Sequence, residues 1–150
     1  MGGLEPYAWL GHVAAAPRLR GLLASGSVER KTIIVEAMNR IGALSVPLDC
    51  VMLETQLSRL ISLGLTMKVW SRFLCITRPD LFCSVSSFPV QKNLSSILDI
   101  PASAIEKPAT YVRLLQLVHS SPWFNSSAPI PADERAIWQW RVAFMDAIYY

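Results

Sequence analysis

No stretch of this sequence reaches the roughly 18 consecutive apolar residues that a membrane-spanning helix needs. The long uncharged run Leu114 to Ala132 is broken by Ser, Asn and Pro, so no membrane partner is expected. The first basic residue is Arg18, and Glu5 and Pro6 stand where a signal peptide would begin its apolar region, which argues against secretion by that route. Cysteine is scarce: Cys50, Cys75 and Cys83 are odd in number and lack CxxC spacing, so neither a disulfide framework nor a zinc site follows from them. Reduced, buried thiols in a cytoplasmic protein are the expectation. Histidine is scarcer still, with His12 and His119 as the whole supply. A Cys83/His119 or Ser/His119 pair lacks an orienting third group and an oxyanion motif, so the inventory favours a protein that is not an enzyme. Walker loops, dinucleotide fingerprints and EF-hand loops are absent, and nothing asks for a cofactor or a metal.

What the chain does have is apolar bulk. Over 150 residues, 52% are hydrophobic and only 17% charged, with five Trp, five Phe and four Tyr. A chain of this length buries roughly 70% of its unfolded surface in one core. Side chains this large need that core or a partner surface to cover them. The net charge of +3 is mild and by itself marks only a weak attraction to polyanions.

The apolar residues recur at helical spacing. Pro6 to Ala16 and Pro17 to Ala24 read as two short helices meeting at an angle. Glu29 to Ile41 follows, with Ile33, Ile34, Ala37, Met38 and Ile41 on one face and Gly42 as its cap. Asp49 is placed to cap a helix running to about Leu63, with Leu53, Leu57, Leu60 and Ile61 as its stripe. Gly64-Leu65 forms a turn and Thr66 caps a helix carrying Val69, Trp70, Phe73, Leu74 and Thr77, which Pro79 ends. Leu81 to Val90 is a loop or a short strand, and Lys92 to Leu98 a two-turn helix. Pro108 opens a helix in which Tyr111, Leu114, Leu115 and Val118 share a face, and Ser120-Ser121-Pro122 closes it. Asp133 to Tyr150 reads as one final, mostly apolar helix, either central in the core or an interface helix. The fold class that follows is all-α: a single compact multi-helix domain of about seven helices, with the last helix near its centre.

Charge is distributed unevenly. From Thr55 through Pro79 the charged residues are Arg59, Lys68, Arg72 and Arg78, with no Asp or Glu among them. Lys68 and Arg72, four residues apart, emerge on one helix face beside Ser71, with Thr66 at its tip. Gln56 to Ile76 resembles a helix-turn-helix DNA-binding motif, with Gly64 as the turn glycine and Met67 to Ile76 as the recognition helix. The resemblance implies that Thr66, Lys68, Ser71 and Arg72 face DNA, with Arg59 and Arg78 as neighbours. The sequence departs from that motif in carrying Leu60 where a small residue is usual and Trp70 where Val or Ile is usual, so the two helices must stand further apart. Leu63 to Phe82 also resembles the helix-hairpin-helix module of DNA glycosylases, but without its second glycine, and with Ser84, Ser86 and Ser87 where the catalytic Asp is expected.

The C-terminal pattern, Ser121-Pro122-Trp123-Phe124 followed by Ile137-Trp138-Gln139-Trp140-Arg141-Val142-Ala143, looks like the end of a helical domain in uncharacterised bacterial proteins of phage-defence type. From the residues themselves, Trp123 and Phe124 are expected to fold back onto the core. Arg141, set in an apolar segment, needs an acidic or carbonyl partner, for which Asp80 is one candidate. The expected function is thus a helical interaction module, with nucleic acid met through the basic helix face. The alternative is a protein–protein or homo-oligomeric assembly domain using Trp138, Trp140 and Tyr149. A DNA-acting enzyme of glycosylase type is the third and least supported expectation.

Overall fold

The computed structural model describes residues 16–145. Among them are seven α-helices and no strand: α1 (Ala16–Ser25), α2 (Val28–Gly42), α3 (Cys50–Ile61), α4 (Met67–Thr77), α5 (Phe88–Leu98), α6 (Pro108–Ser120) and α7 (Ala132–Gln139). A short 3-10 helix, Ala102–Glu106, joins α5 to α6. The all-α architecture expected from the apolar spacing is therefore present. The helix placed over Pro6 to Ala16 lies almost wholly outside the described residues, and Pro17 falls in the first turn of α1, where its missing N–H is no loss.

α3 is the central element, packing against α2, α4 and α6. Leu53, Leu57 and Leu60 on its inner face are fully buried, while Ile61, also expected there, is only partly so. Asp49 caps the helix as expected, its Oδ1 accepting from the Met52 N–H at 2.9 Å. Gly64 sits at φ +94° in the turn to α4, a left-handed backbone that favours glycine. Trp70 of α4 is buried against α3, and its indole N–H donates to the Leu60 carbonyl at 3.1 Å. Gly42 is not a cap: α2 includes it and Ala43 takes the C-cap position.

Tertiary structure decides between loop and strand for the stretch after Pro79 and corrects the reading of the last helix. The stretch after Pro79 is a loop, but one that runs through the interior, with Leu81, Phe82, Cys83, Ser84 and Val85 all buried. Four side chains from three helices satisfy its backbone, as buried peptide groups require. The Tyr111 hydroxyl donates to the Cys83 carbonyl (2.7 Å) and Gln91 Nε2 to the Val85 carbonyl (2.9 Å). Ser71 Oγ accepts from the Val85 N–H (3.1 Å), and His119 Nε2 meets the Leu81 carbonyl (2.9 Å).

Among the described residues, the helix expected over Asp133 to Tyr150 is neither continuous nor central, and 146–150 lie outside them. α7 stops at Gln139, Ala132 to Arg135 are exposed, and Ile137 is 60% exposed. The carbonyl of Trp138, which a continuing helix would offer to Val142, instead accepts from Arg141 Nη1 at 2.6 Å. The Ala143 N–H donates to the carbonyls of Trp140 (3.0 Å) and Pro79 (3.2 Å), docking the chain onto the end of α4 in a series of turns.

Candidate functional site

The six residues expected to face nucleic acid point in different directions. Arg59 turns toward α2, its guanidinium bridging Gln56 Oε1 (3.0 Å) and Glu36 Oε2 (2.9 Å). Arg78 also turns that way, donating to the carbonyls of Gly42 (2.6 Å) and Leu44 (3.1 Å) and forming a two-point pair with Asp80 at 2.9 and 2.8 Å. That pair holds the Asp80 carboxyl below its usual range and raises the Arg78 guanidinium, hydrogen bonding being the main cause in each. Lys68 and Arg72 stay together on the other side of α4: Lys68 Nζ meets Glu106 Oε1 at 3.0 Å, and Arg72 Nη1 donates to Ser86 Oγ at 3.1 Å. Thr66 is exposed at the start of α4 and makes no side-chain capping bond. Ser71 is fully buried, its hydroxyl committed to the interior loop, and it has no surface to offer a duplex.

Three of the four cations therefore face an acid from another part of the fold or from the adjoining loop. Two of these pairs tie elements together: Arg59 joins α3 to α2, and Lys68 joins α4 to the 3-10 helix. Such half-exposed pairs contribute about 0–1 kcal/mol each. They also neutralise the charge that sequence order alone presents as a basic run.

The C-terminal part of the chain builds a different surface. Trp123, Ile130, Ile137, Trp140 and Phe144 are all exposed, Trp140 at 54% and Ile130 at 88%. Phe124 folds onto the core as expected, whereas Trp123 remains outside. Trp138 is partly buried, with its indole N–H on Ser126 Oγ at 3.2 Å, and Tyr149 lies outside the described residues. Between this segment and the end of α4 lies an open cleft of about 510 Å³, whose walls include Val46, Arg78, Asp80, Trp138, Trp140 and Arg141.

Arg141 is the feature of this region that residue spacing could only half anticipate. Its partners are carbonyls and not Asp80: Nη1 donates to Trp138 and Nη2 to Phe124, both at 2.6 Å. Its Cζ lies 3.8 Å from the Trp138 ring centre and 4.4 Å from that of Phe124. On Phe124 the His119 ring also stacks, 4.5 Å away at an interplanar angle of 24°. His119 and Arg141 thus both pack on Phe124, and Arg141 packs in turn on Trp138, a linked column of four side chains from α6 to α7. Burial lowers the pKa of both His119 and Arg141, and His119 Nδ1 and Arg141 Nε are buried without a hydrogen-bond partner among the described residues.

For catalysis the arrangement offers little. Cys83 and His119 are both buried, and His119 Nε2 is engaged by the Leu81 carbonyl. Among the described residues no group of three or more His, Cys, Asp or Glu is arranged to hold a metal ion, and no helix is long and apolar enough to cross a membrane. Compared with protein-family models, curated proteins and solved structures, the chain gives no match.

Proposed function

We propose that this chain is a non-enzymatic helical interaction module that assembles with a second copy of itself through the surface around Trp140 and the adjoining cleft. The observation that supports it most is the concentration of large exposed apolar side chains between Trp123 and Phe144, in a protein whose helices α2 to α6 bury most of theirs. Apolar burial is non-directional, so the same patch on two copies can serve as both partners, and a twofold interface buries it on both at once. Sedimentation across a wide concentration range tests this. The expected outcome is a mass that rises toward the dimer, with the rise abolished in an Ile137→Ser, Trp140→Ser double variant. A strict monomer, or a dimer unaffected by the double variant, removes the proposal.

A second reading, duplex binding through Thr66, Lys68, Arg72, Arg59 and Arg78, is supported by the acid-free run from Thr55 to Pro79. It requires Arg59, Lys68 and Arg78 to leave Glu36, Glu106 and Asp80, or the three pairs to remain while only Arg72 acts. Duplex binding that weakens steeply with salt and disappears in a Lys68→Ala, Arg72→Ala double variant supports it. Binding unchanged in that variant excludes this face.

A further inference from the structure

The column His119, Phe124, Arg141, Trp138 sits where three parts of the chain converge. His119 holds the interior loop through Leu81, Phe124 closes the turn after α6, and Arg141 with Trp138 belongs to the C-terminal segment. Beyond the column, that segment is anchored by Val142, which is fully buried, and by the Ala143 N–H, which reaches the Pro79 carbonyl. The bond from His119 to the Leu81 carbonyl requires the proton on Nε2, which leaves Nδ1 as an unprotonated buried nitrogen with no donor among the described residues. A second proton there has no acceptor among the described residues, and its charge would stand near the Arg141 guanidinium, which packs on the same phenyl ring.

We propose that this stack is an acid-sensitive latch: a proton taken up from solvent at His119 Nδ1 breaks the column and releases the segment Phe124 to Met145 from the interior loop. The inference stands on the stack itself and holds whether or not the nearby surface docks a second copy. The charged groups that face the ring are few. From the C-terminal segment it meets Arg141, which opposes a second positive charge, and from the loop after α4 it meets Asp80, which favours one. Asp80 is already held by Arg78 in a two-point pair, and Ser121 to Ser126 carry no titratable side chain. Burial is the largest influence and pushes the ring below its ordinary 6.5. The sign follows: above that value the ring is neutral in both states and the latch is closed. As pH falls below it the released ring takes the proton more readily than the stacked one, and opening is favoured.

Hydrogen exchange followed by mass spectrometry, corrected for intrinsic rates, tests this at about pH 7.5 and about pH 5.5, either side of an ordinary histidine. The expected result is a loss of protection of up to roughly tenfold at the lower pH in peptides spanning 124–145, with peptides of α3 unchanged. His119→Gln keeps a side-chain amide able to donate to Leu81 while remaining neutral, and is expected to abolish the acid response. Equal protection at the two pH values, or an acid response that persists in His119→Gln, overturns the latch. Should the variant not fold, the ring resonances of the unaltered protein decide: a His119 titrating below 6.5 together with the exchange change supports the latch, and one titrating at or above 6.5 overturns it.

Discussion

Tyr111 shows how much of this fold depends on single polar atoms inside an apolar interior. The ring is fully buried, and burial raises its hydroxyl pKa well above 10.0, so it is a neutral donor throughout the physiological range. Its hydroxyl makes the 2.7 Å bond to the Cys83 carbonyl in the middle of the interior loop. Tyr111→Phe preserves the ring packing and removes this bond, a loss of about 0.5–1.5 kcal/mol, the net worth of one buried hydrogen bond. Urea denaturation is the direct measurement, with an unchanged slope and a lower midpoint as the expected outcome. A stability equal to that of the parent would mean that water or a shifted backbone replaces the bond. At the same scale, Ser71 and Gln91 are polar residues whose roles are invisible in sequence order. Ser71 lies beside two cations on a helix and reads as a surface residue, yet the N–H it accepts from, that of Val85, is 14 positions away in sequence.

At the scale of elements, the helix starts separate into those held by side chains and those held only by packing. Asp49 and Ser27 cap α3 and α2 by accepting from the Met52 and Arg30 N–H groups, while Thr66 opens α4 with no such bond. Asp49→Ala is therefore expected to lower stability by about 1 kcal/mol and Thr66→Ala by less than about 0.5 kcal/mol. Thermal or urea denaturation of the pair measures the difference, and equal losses would show that the Thr66 hydroxyl caps after all.

The same contrast explains which elements are legible in the sequence. α2 to α4 and α6 follow from apolar residues at 3.6 spacing, because each buries one continuous stripe and local periodicity records that stripe directly. α5 begins earlier than its apolar pattern suggests, since Ser87 caps it by accepting from the Val90 N–H. The last helix is shorter than its apolar pattern because its end is decided by Arg141 taking the Trp138 carbonyl, a choice enforced by stacking on Phe124 seventeen residues away. For the candidate sites the limit is the same: Glu36 and Glu106, which answer Arg59 and Lys68, lie far from the basic run in sequence.

For the whole molecule, the question raised by a composition of 52% hydrophobic residues is where the excess goes, and the two tryptophans Trp70 and Trp140 mark the two destinations. Trp70 lies at the junction of α3 and α4 with no exposed surface, held by its bond to Leu60 and by an edge-on contact to Phe73 at 6.4 Å. The bulk that departs from a helix-turn-helix pattern thus fills the space between these helices. Trp140 lies beyond α7, more than half exposed at the rim of the cleft. Truncating a buried Trp removes transfer energy and leaves a cavity, about 3–5 kcal/mol in total. That is a large part of the roughly 5–15 kcal/mol by which a domain is stable. Trp70→Ala is accordingly expected to lower the urea midpoint severely or to prevent folding, while Trp140→Ala changes stability by less than about 0.5 kcal/mol, as an exposed position should. The same Trp140→Ala preparation is then the sharper probe of function. If assembly depends on the C-terminal surface, it remains as stable as the parent and sediments as a monomer at concentrations where the parent does not. If instead Trp140→Ala is strongly destabilised, its indole belongs to the core in solution, and the surface proposed for docking is part of the fold.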